Sequence, residues 1–300
     1  MNSKLEYIVE SISNQNPLHG KKITANTNAF DDEYLQRANR FLDKYTALLE
    51  ENNQTLDDAI ASYLQMIADF NYEIIQFLKT DSYSSSSFAE VKQRVYDNPE
   101  VMEYYMHGLV LSQFLWAHHY EMLLYFMKVI EDNKKGIKSY LEVGGGHGLY
   151  ISEAIQIIGD KPDYNLVDIS ASSLEMARKM IGSKLVNYTL TDVFDYSPEK
   201  KFDFITMGEV LEHVEDPVKL LQKLHSLVAD SGKVFITTPT NAPAIDHIFL
   251  FRNADDIRAV IDAAGFKIEE EKCVYAEKLP PKLLEKYKIS MLYAGLLSKK

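Results

Sequence analysis

The stretch Ser139-Tyr-Leu-Glu142-Val-Gly144-Gly145-Gly146-His147-Gly148 decides the fold. The apolar run from Ser139 to Val143 reads as a strand, the glycines as a turn, and Leu149 to Ile158 as a helix. Glycines let the backbone approach a ligand closely, and the first N–H groups of a helix lack partners of their own. Glu142 ends the strand, where a bound ammonium or hydroxyl can use its carboxylate. A dinucleotide-binding turn, G-x-G-x-x-G, requires glycine where Leu149 stands, which argues against an NAD-dependent oxidoreductase.

From Lys138 onward, strands and helices alternate. Strands are expected at 139–143, 163–167, 185–190, 202–207, 233–238, 267–274 and 289–297. Helices are expected at 149–158, 171–181, 217–229 and 254–264. Such alternation implies an α/β fold whose mostly parallel sheet is covered on both faces. Residues 1–134 follow a different pattern and read as helical throughout. Tyr34, Leu35, Ala38, Phe41, Leu42, Tyr45, Leu48 and Leu49 repeat at helical spacing across Asp31 to Glu50. Thr55 and Asp58 form a capping-box pattern that opens a helix to about Lys79. A third helix spans Phe88 to Tyr96, and Asn98-Pro99 starts a long one ending near Asp132. The chain therefore divides into an all-helical unit, 1–134, and an α/β unit, 135–300.

The net charge of −12 disfavours nucleic acid and anionic membranes, which recruit basic surface. A single cysteine, Cys273, excludes an internal disulfide and fits a reducing, cytoplasmic setting. The apolar stretch Gly108 to Ile130 contains His118, His119, Glu121 and Lys128, so it reads as a buried helix rather than a membrane span.

In a sheet of this kind ligands bind beyond the carboxyl ends of the strands. Asp168 follows the second strand about twenty residues after the glycine turn, where an acid accepts hydrogen bonds from both hydroxyls of a ribose. Asp192 follows the third strand. After the fourth comes Gly208-Glu209-Val-Leu-Glu212-His213-Val-Glu-Asp216-Pro217, in which Asp216-Pro217 caps the next helix. The fifth strand leads through Pro239 and Pro243 to Asp246-His247.

Across residues 138–300 these features together resemble the class I S-adenosylmethionine-dependent methyltransferases. Ala264-Gly-Phe-Lys-Ile268 also looks like that family's approach to its sixth strand. The resemblance implies a Rossmann-like, seven-stranded sheet. It implies that Gly144 and Gly146 lie against the methionine moiety and that Glu142 helps to hold its ammonium. Asp168, with Ile169 beside it, would bind the ribose; Asp192, with Val193, would bind the adenine. His147 departs from the small or polar residue usual at its position.

Glu209, Glu212 and His213 stand at i, i+3 and i+4, and on a helical turn these share a face. Two carboxylates and an imidazole suit a divalent ion. The E-x-x-E-H pattern is similar to that of ubiquinone-biosynthetic O-methyltransferases and of small-RNA 2′-O-methyltransferases. His247 follows the neighbouring strand, about 4.8 Å away, and is a further candidate ligand. Glu212, His213 and His247 are also the candidate catalytic groups, with either histidine serving as a metal-free base. His107, His118 and His119 belong to the helical unit, as structural residues or as ligands.

The helical unit is expected to cover the substrate as a lid or to mediate a homodimer. Tyr104, Tyr105 and Trp116 are the residues chosen as facing the ligand. The expected activity is methyl transfer from S-adenosylmethionine to a small-molecule metabolite or natural-product intermediate, to oxygen if a divalent metal participates. The alternatives are a metal-independent N- or C-methyltransferase with a His/Glu base, and a non-catalytic S-adenosylmethionine-binding protein. An RNA methyltransferase is disfavoured by the acidic charge.

Overall fold

A computed structural model describes residues 3–300. The helical part opens with α1 (Lys4–Gln15) and α2 (Pro17–Thr27), followed by α3 (Asp32–Glu51), α4 (Leu56–Thr80) and the short α5 (Phe88–Val91). Asp31 caps α3, and Thr55 closes the capping box of α4 that the sequence pattern indicated. Lys92–Tyr96 continues α5 as a π-helical turn.

The long helix expected from Asn98 to Asp132 is two helices, α6 (Pro99–Leu115) and α7 (Ala117–Asn133). Trp116 breaks it, at φ −102° and ψ 119°. Tertiary contacts hold the break. The Trp116 indole N–H donates to the Tyr63 hydroxyl at 2.9 Å, and its ring lies 5.8 Å from that of Phe70.

The seven-stranded sheet comprises β1 (Ser139–Val143), β2 (Asp163–Asp168), β3 (Val186–Leu190), β4 (Phe202–Gly208), β5 (Val228–Thr240), β6 (Phe266–Tyr275) and β7 (Met291–Lys299). Their order is β3-β2-β1-β4-β5-β7-β6, with β7 antiparallel to both of its neighbours. The remaining helices are α8 (Leu149–Ile158), α9 (Ala171–Ile181), α10 (Pro217–Leu227), α11 (Ala254–Ala263) and α12 (Pro281–Lys286). Strand order reverses beside β1, because β2 and β4 flank it on opposite sides. This is where the carboxyl ends of parallel strands leave a crevice.

Alternation along the strands sends side chains to two cores. Tyr140, Phe204 and Phe235 join the core that also contains the helical part, whereas Leu141, Ile205 and Ile236 pack with α10 and α11. Phe126 of α7 packs edge-on against Phe235 and at a tilt against Tyr150, with centroids 5.2 and 4.6 Å away. So α7 is a covering layer of the sheet as well as a wall of the helical part. A buried ion pair ties α3 to α8, Arg37 Nη1 to Glu153 Oε2 at 3.0 Å. Among the described residues, no helix is long and apolar enough to cross a membrane.

Candidate active site

A cavity of about 830 Å³ runs from the strand ends into the helical part. Its floor is the glycine turn. Gly144, Gly146 and Gly148 all have positive φ, and Gly148 opens α8 without a side-chain cap. A β-carbon at Gly145 would lie 2.7 Å from Leu166 Cδ1, but at Gly146 it would meet nothing within 4 Å. Gly146 therefore presents open space to a ligand, while Gly145 serves close packing.

Asp168 is buried at the end of β2. Its two carboxylate oxygens accept from the Gly146 N–H at 3.3 Å and the Ser170 N–H at 2.8 Å. Burial pushes its pKa up to about 6 despite those donors. Glu142 is buried too, and its Oε2 has no hydrogen-bond partner. Burial, reinforced by the charge of Asp168, raises its pKa to about 8. An unsatisfied acid beside an open glycine turn suits a cationic or hydrogen-donating ligand. Asp192 accepts from the Phe194 N–H at 2.9 Å within a turn. Ile169, Val193 and Phe194 also line the cavity, and the half-exposed Ile169 and Phe194 offer apolar surface to a flat base. Phe194 was missed by sequence reading; an aromatic two residues after Asp192 was its only signal.

The rim beyond β4 corrects one expectation. Glu209 has a left-handed backbone, φ +54°, and Leu211–His213 is a single 3-10 turn rather than part of an α-helix. The i, i+3, i+4 face therefore does not form. Ligand atoms of Glu212, His213 and His247 lie within 4.8 Å of one another, and Glu209 stands outside that group. Its carboxyl is buried and, by burial, shifted toward protonation; burial and the charge of Glu209 shift Glu212 the same way.

The three grouped side chains are firmly oriented. Glu212 Oε2 accepts from the Thr238 hydroxyl at 2.8 Å, and its Oε1 is unpartnered. His213 Nδ1 donates to the Asp246 carbonyl at 2.9 Å, and His247 Nδ1 donates to the Ala242 carbonyl at 2.6 Å. Both Nε2 atoms consequently carry free lone pairs. The rings are 4.9 Å apart and nearly perpendicular. Burial lowers the His247 pKa to about 4, with His213 adding to the effect. Asp246, which sequence reading passed over, places Oδ2 3.6 Å from His213 Nδ1 and accepts from the Tyr105 hydroxyl at 2.7 Å.

Tyr105 and Trp116 line the cavity. Tyr104 does not: its hydroxyl donates to Asp69 at 2.6 Å, because adjacent helical positions face about 100° apart. His107 pairs with the Tyr45 hydroxyl at 2.6 Å, while His118 and His119 reach the cavity.

Residues 116–271 match a family described as a methyltransferase domain. The chain belongs to the S-adenosylmethionine-dependent methyltransferase family. This methyltransferase is 29% identical over 113 residues to malonyl-[acyl-carrier protein] O-methyltransferase 1 of Ilyobacter polytropus, covering 37% of this chain and 42% of that protein. It is 33% identical over 108 residues to the ubiquinone biosynthesis O-methyltransferase of Xanthomonas campestris pv. campestris, covering 35% and 44%. The chain thus spans less than half the length of these curated relatives. Its fold also matches mitomycin 7-O-methyltransferase MmcR, with a TM-score of 0.54 at 12% identity, over 77% of this chain and 68% of the other.

Proposed function

We propose that the protein transfers a methyl group from S-adenosylmethionine to an oxygen of a small, largely apolar acceptor held inside the cavity. One observation carries this reading. The glycine turn with Asp168, the Glu212–His213–His247 group and the aromatic helical wall all open into the same enclosed space. Glu142, Gly146 and Asp168 fit the cofactor's methionine and ribose, with an unsatisfied acid, open space above the turn and a fixed carboxylate. Asp192, Ile169, Val193 and Phe194 suit its adenine. Tyr105 and Trp116 roof the acceptor, and excluding water favours transfer from a charged sulfonium. The O-methyltransferase names of the curated relatives support oxygen as the acceptor atom, and the charge of −12 supports a small molecule over nucleic acid.

Glu212 Oε1 and the two Nε2 atoms form a donor set of two imidazoles and one carboxylate, which suits a divalent ion. The Asp246 and Ala242 carbonyls fix the ring tautomers in the way that outer partners of metal-bound histidines do. A bound ion would polarise the acceptor oxygen and lower its pKa. A second reading keeps the same residues without metal. His213, close to Asp246, takes the acceptor proton directly, with the carboxylate stabilising the imidazolium that forms.

The test is release of S-adenosylhomocysteine from a panel of phenols, enols and amines, before and after chelation. Turnover of hydroxyl compounds that chelation abolishes and divalent ion restores supports the metal form. Turnover indifferent to chelation leaves the base. Cofactor binding without turnover of any acceptor favours a non-catalytic binder.

A further inference from the structure

The reaction proposed above uses one end of the cavity, and the other end is polar as well. The break at Trp116 places His118 and His119 in the first turn of α7, with ring centroids 5.6 and 4.8 Å from the indole and 4.6 Å from each other. Both line the cavity, with Gln113 beside them. The Ser112 hydroxyl donates to the Leu109 carbonyl at 2.8 Å and lies 3.3 Å from His119 Nδ1. The Gln113 amide N–H also points to that ring nitrogen, at 3.5 Å, so Nδ1 is engaged from within the protein and Nε2 is the ring atom left for a ligand. The His118 ring has no hydrogen-bond partner among the described residues. Burial keeps both rings neutral, lowering the His118 pKa to about 3 and that of His119 well below its ordinary value. Lys22, the nearby cation on this wall, is engaged by Glu277.

Aromatic surface separates this pair from the reacting end. Tyr105, hydrogen-bonded to Asp246, lies 6.2 Å from Phe70, which lies 5.8 Å from Trp116. The free ring nitrogens on this wall face the open cavity, so a ligand group that pairs with one replaces water there and gains about 0.5–1.5 kcal/mol, the net of one neutral hydrogen bond.

We propose that His118, His119 and Gln113 form a distal acceptor subsite for an uncharged hydrogen-bonding group, a hydroxyl, carbonyl or amide. The acceptor is then bipolar. Its reacting group sits by Glu212, His213 and His247, its apolar body lies along Tyr105 and Phe70, and its neutral terminus rests on the histidine pair. This rests on the methyltransferase reading only for which end reacts.

Trp116 is the single tryptophan of the chain, so its emission reports occupancy of this wall. The probes are para-alkylphenols of increasing length, titrated with saturating S-adenosylhomocysteine present, beside the same phenols ending in a hydroxyl or a carboxylate. At the length that spans the cavity, the terminal hydroxyl should tighten binding about fivefold, the increment of one neutral hydrogen bond. The carboxylate should bind more weakly than the alkyl compound. Replacing both histidines (His118→Phe with His119→Phe) should erase the hydroxyl preference, while the plain alkylphenol and S-adenosylhomocysteine bind as before. Absence of a hydroxyl preference at every length in the unaltered protein overturns the proposal, whatever the variant does. Preference for the carboxylate overturns it too. Loss of S-adenosylhomocysteine affinity in the variant assigns the histidines to the cofactor instead and equally overturns it. If the unaltered protein binds no S-adenosylhomocysteine but retains the hydroxyl preference, the methyltransferase reading fails and the subsite stands.

Discussion

Substituting Gly146 by alanine separates ligand space from folding stability. The added β-carbon meets no protein atom within 4 Å, yet φ is +52°, and a left-handed alanine costs about 1–2 kcal/mol. Gly182, which ends α9, supplies a matched control. Its φ is +62°, and the nearest atom to an added β-carbon is the Lys179 carbonyl oxygen at 3.7 Å. Gly146→Ala and Gly182→Ala should therefore lose similar stability, about 2–4 °C in melting temperature for each kcal/mol. They should differ in cofactor binding, because only Gly146 lines the cavity. Displacing the methionine end enough to break one charge-assisted hydrogen bond costs about 1.5–3 kcal/mol, or roughly tenfold to a hundredfold in affinity. Calorimetry with S-adenosylhomocysteine, run beside thermal melts, measures both quantities. Gly145→Ala should instead destabilise the fold, since its β-carbon would press on Leu166. If folded Gly146→Ala binds S-adenosylhomocysteine as tightly as Gly182→Ala, the turn does not hold the cofactor as argued.

Three further outcomes follow from the geometry. Elemental analysis of purified protein should find a divalent ion, and Glu212→Gln or His247→Ala should lose it while S-adenosylhomocysteine still binds; a metal-free active protein removes the metal reading. The pKa of Glu142 is raised to about 8 in the folded chain, above that of an ordinary carboxylate. Folding thus favours its protonated form, and that stability is lost as pH rises through about 8. The melting temperature of the cofactor-free protein should fall from about pH 6 to about pH 8.5, and less so in Glu142→Gln; parallel profiles would contradict the assignment. Finally, Glu153→Gln removes one partner of the buried Arg37 pair, with both side chains 9% exposed. It should cost about 3–5 kcal/mol by thermal melt, and a loss below 1 kcal/mol would show that Arg37 finds other partners.

The α/β part was legible because its elements are punctuated locally. Glycine turns, Asp216-Pro217 and apolar runs set boundaries that β1, α8 and α9 follow closely. The approach of His247 to His213 was legible as well, since β4 and β5 are parallel neighbours and their carboxyl ends share one edge. The break at Trp116 was not. It contains neither glycine nor proline, and its partners Tyr63 and Phe70 lie on another helix. Glu209 was misplaced because its spacing to His213 implies a shared face only on an α-helix, and a left-handed glutamate leaves no local signal. Choosing both Tyr104 and Tyr105 ignored the helical register that sends them apart. Asp246 was overlooked because its role depends on contacts with His213 and Tyr105, from two other parts of the chain.

The central claim is that the crevice at β1, β2 and β4 holds S-adenosylmethionine. A crystal structure of the protein with S-adenosylhomocysteine tests it most directly. The account predicts ribose hydroxyls on Asp168, the amino group near Glu142, the adenine by Asp192, Ile169 and Phe194, and the sulfur facing the space beside Glu212, His213 and His247. A nucleoside bound elsewhere, or a crevice that excludes it at saturating concentration, would contradict the claim.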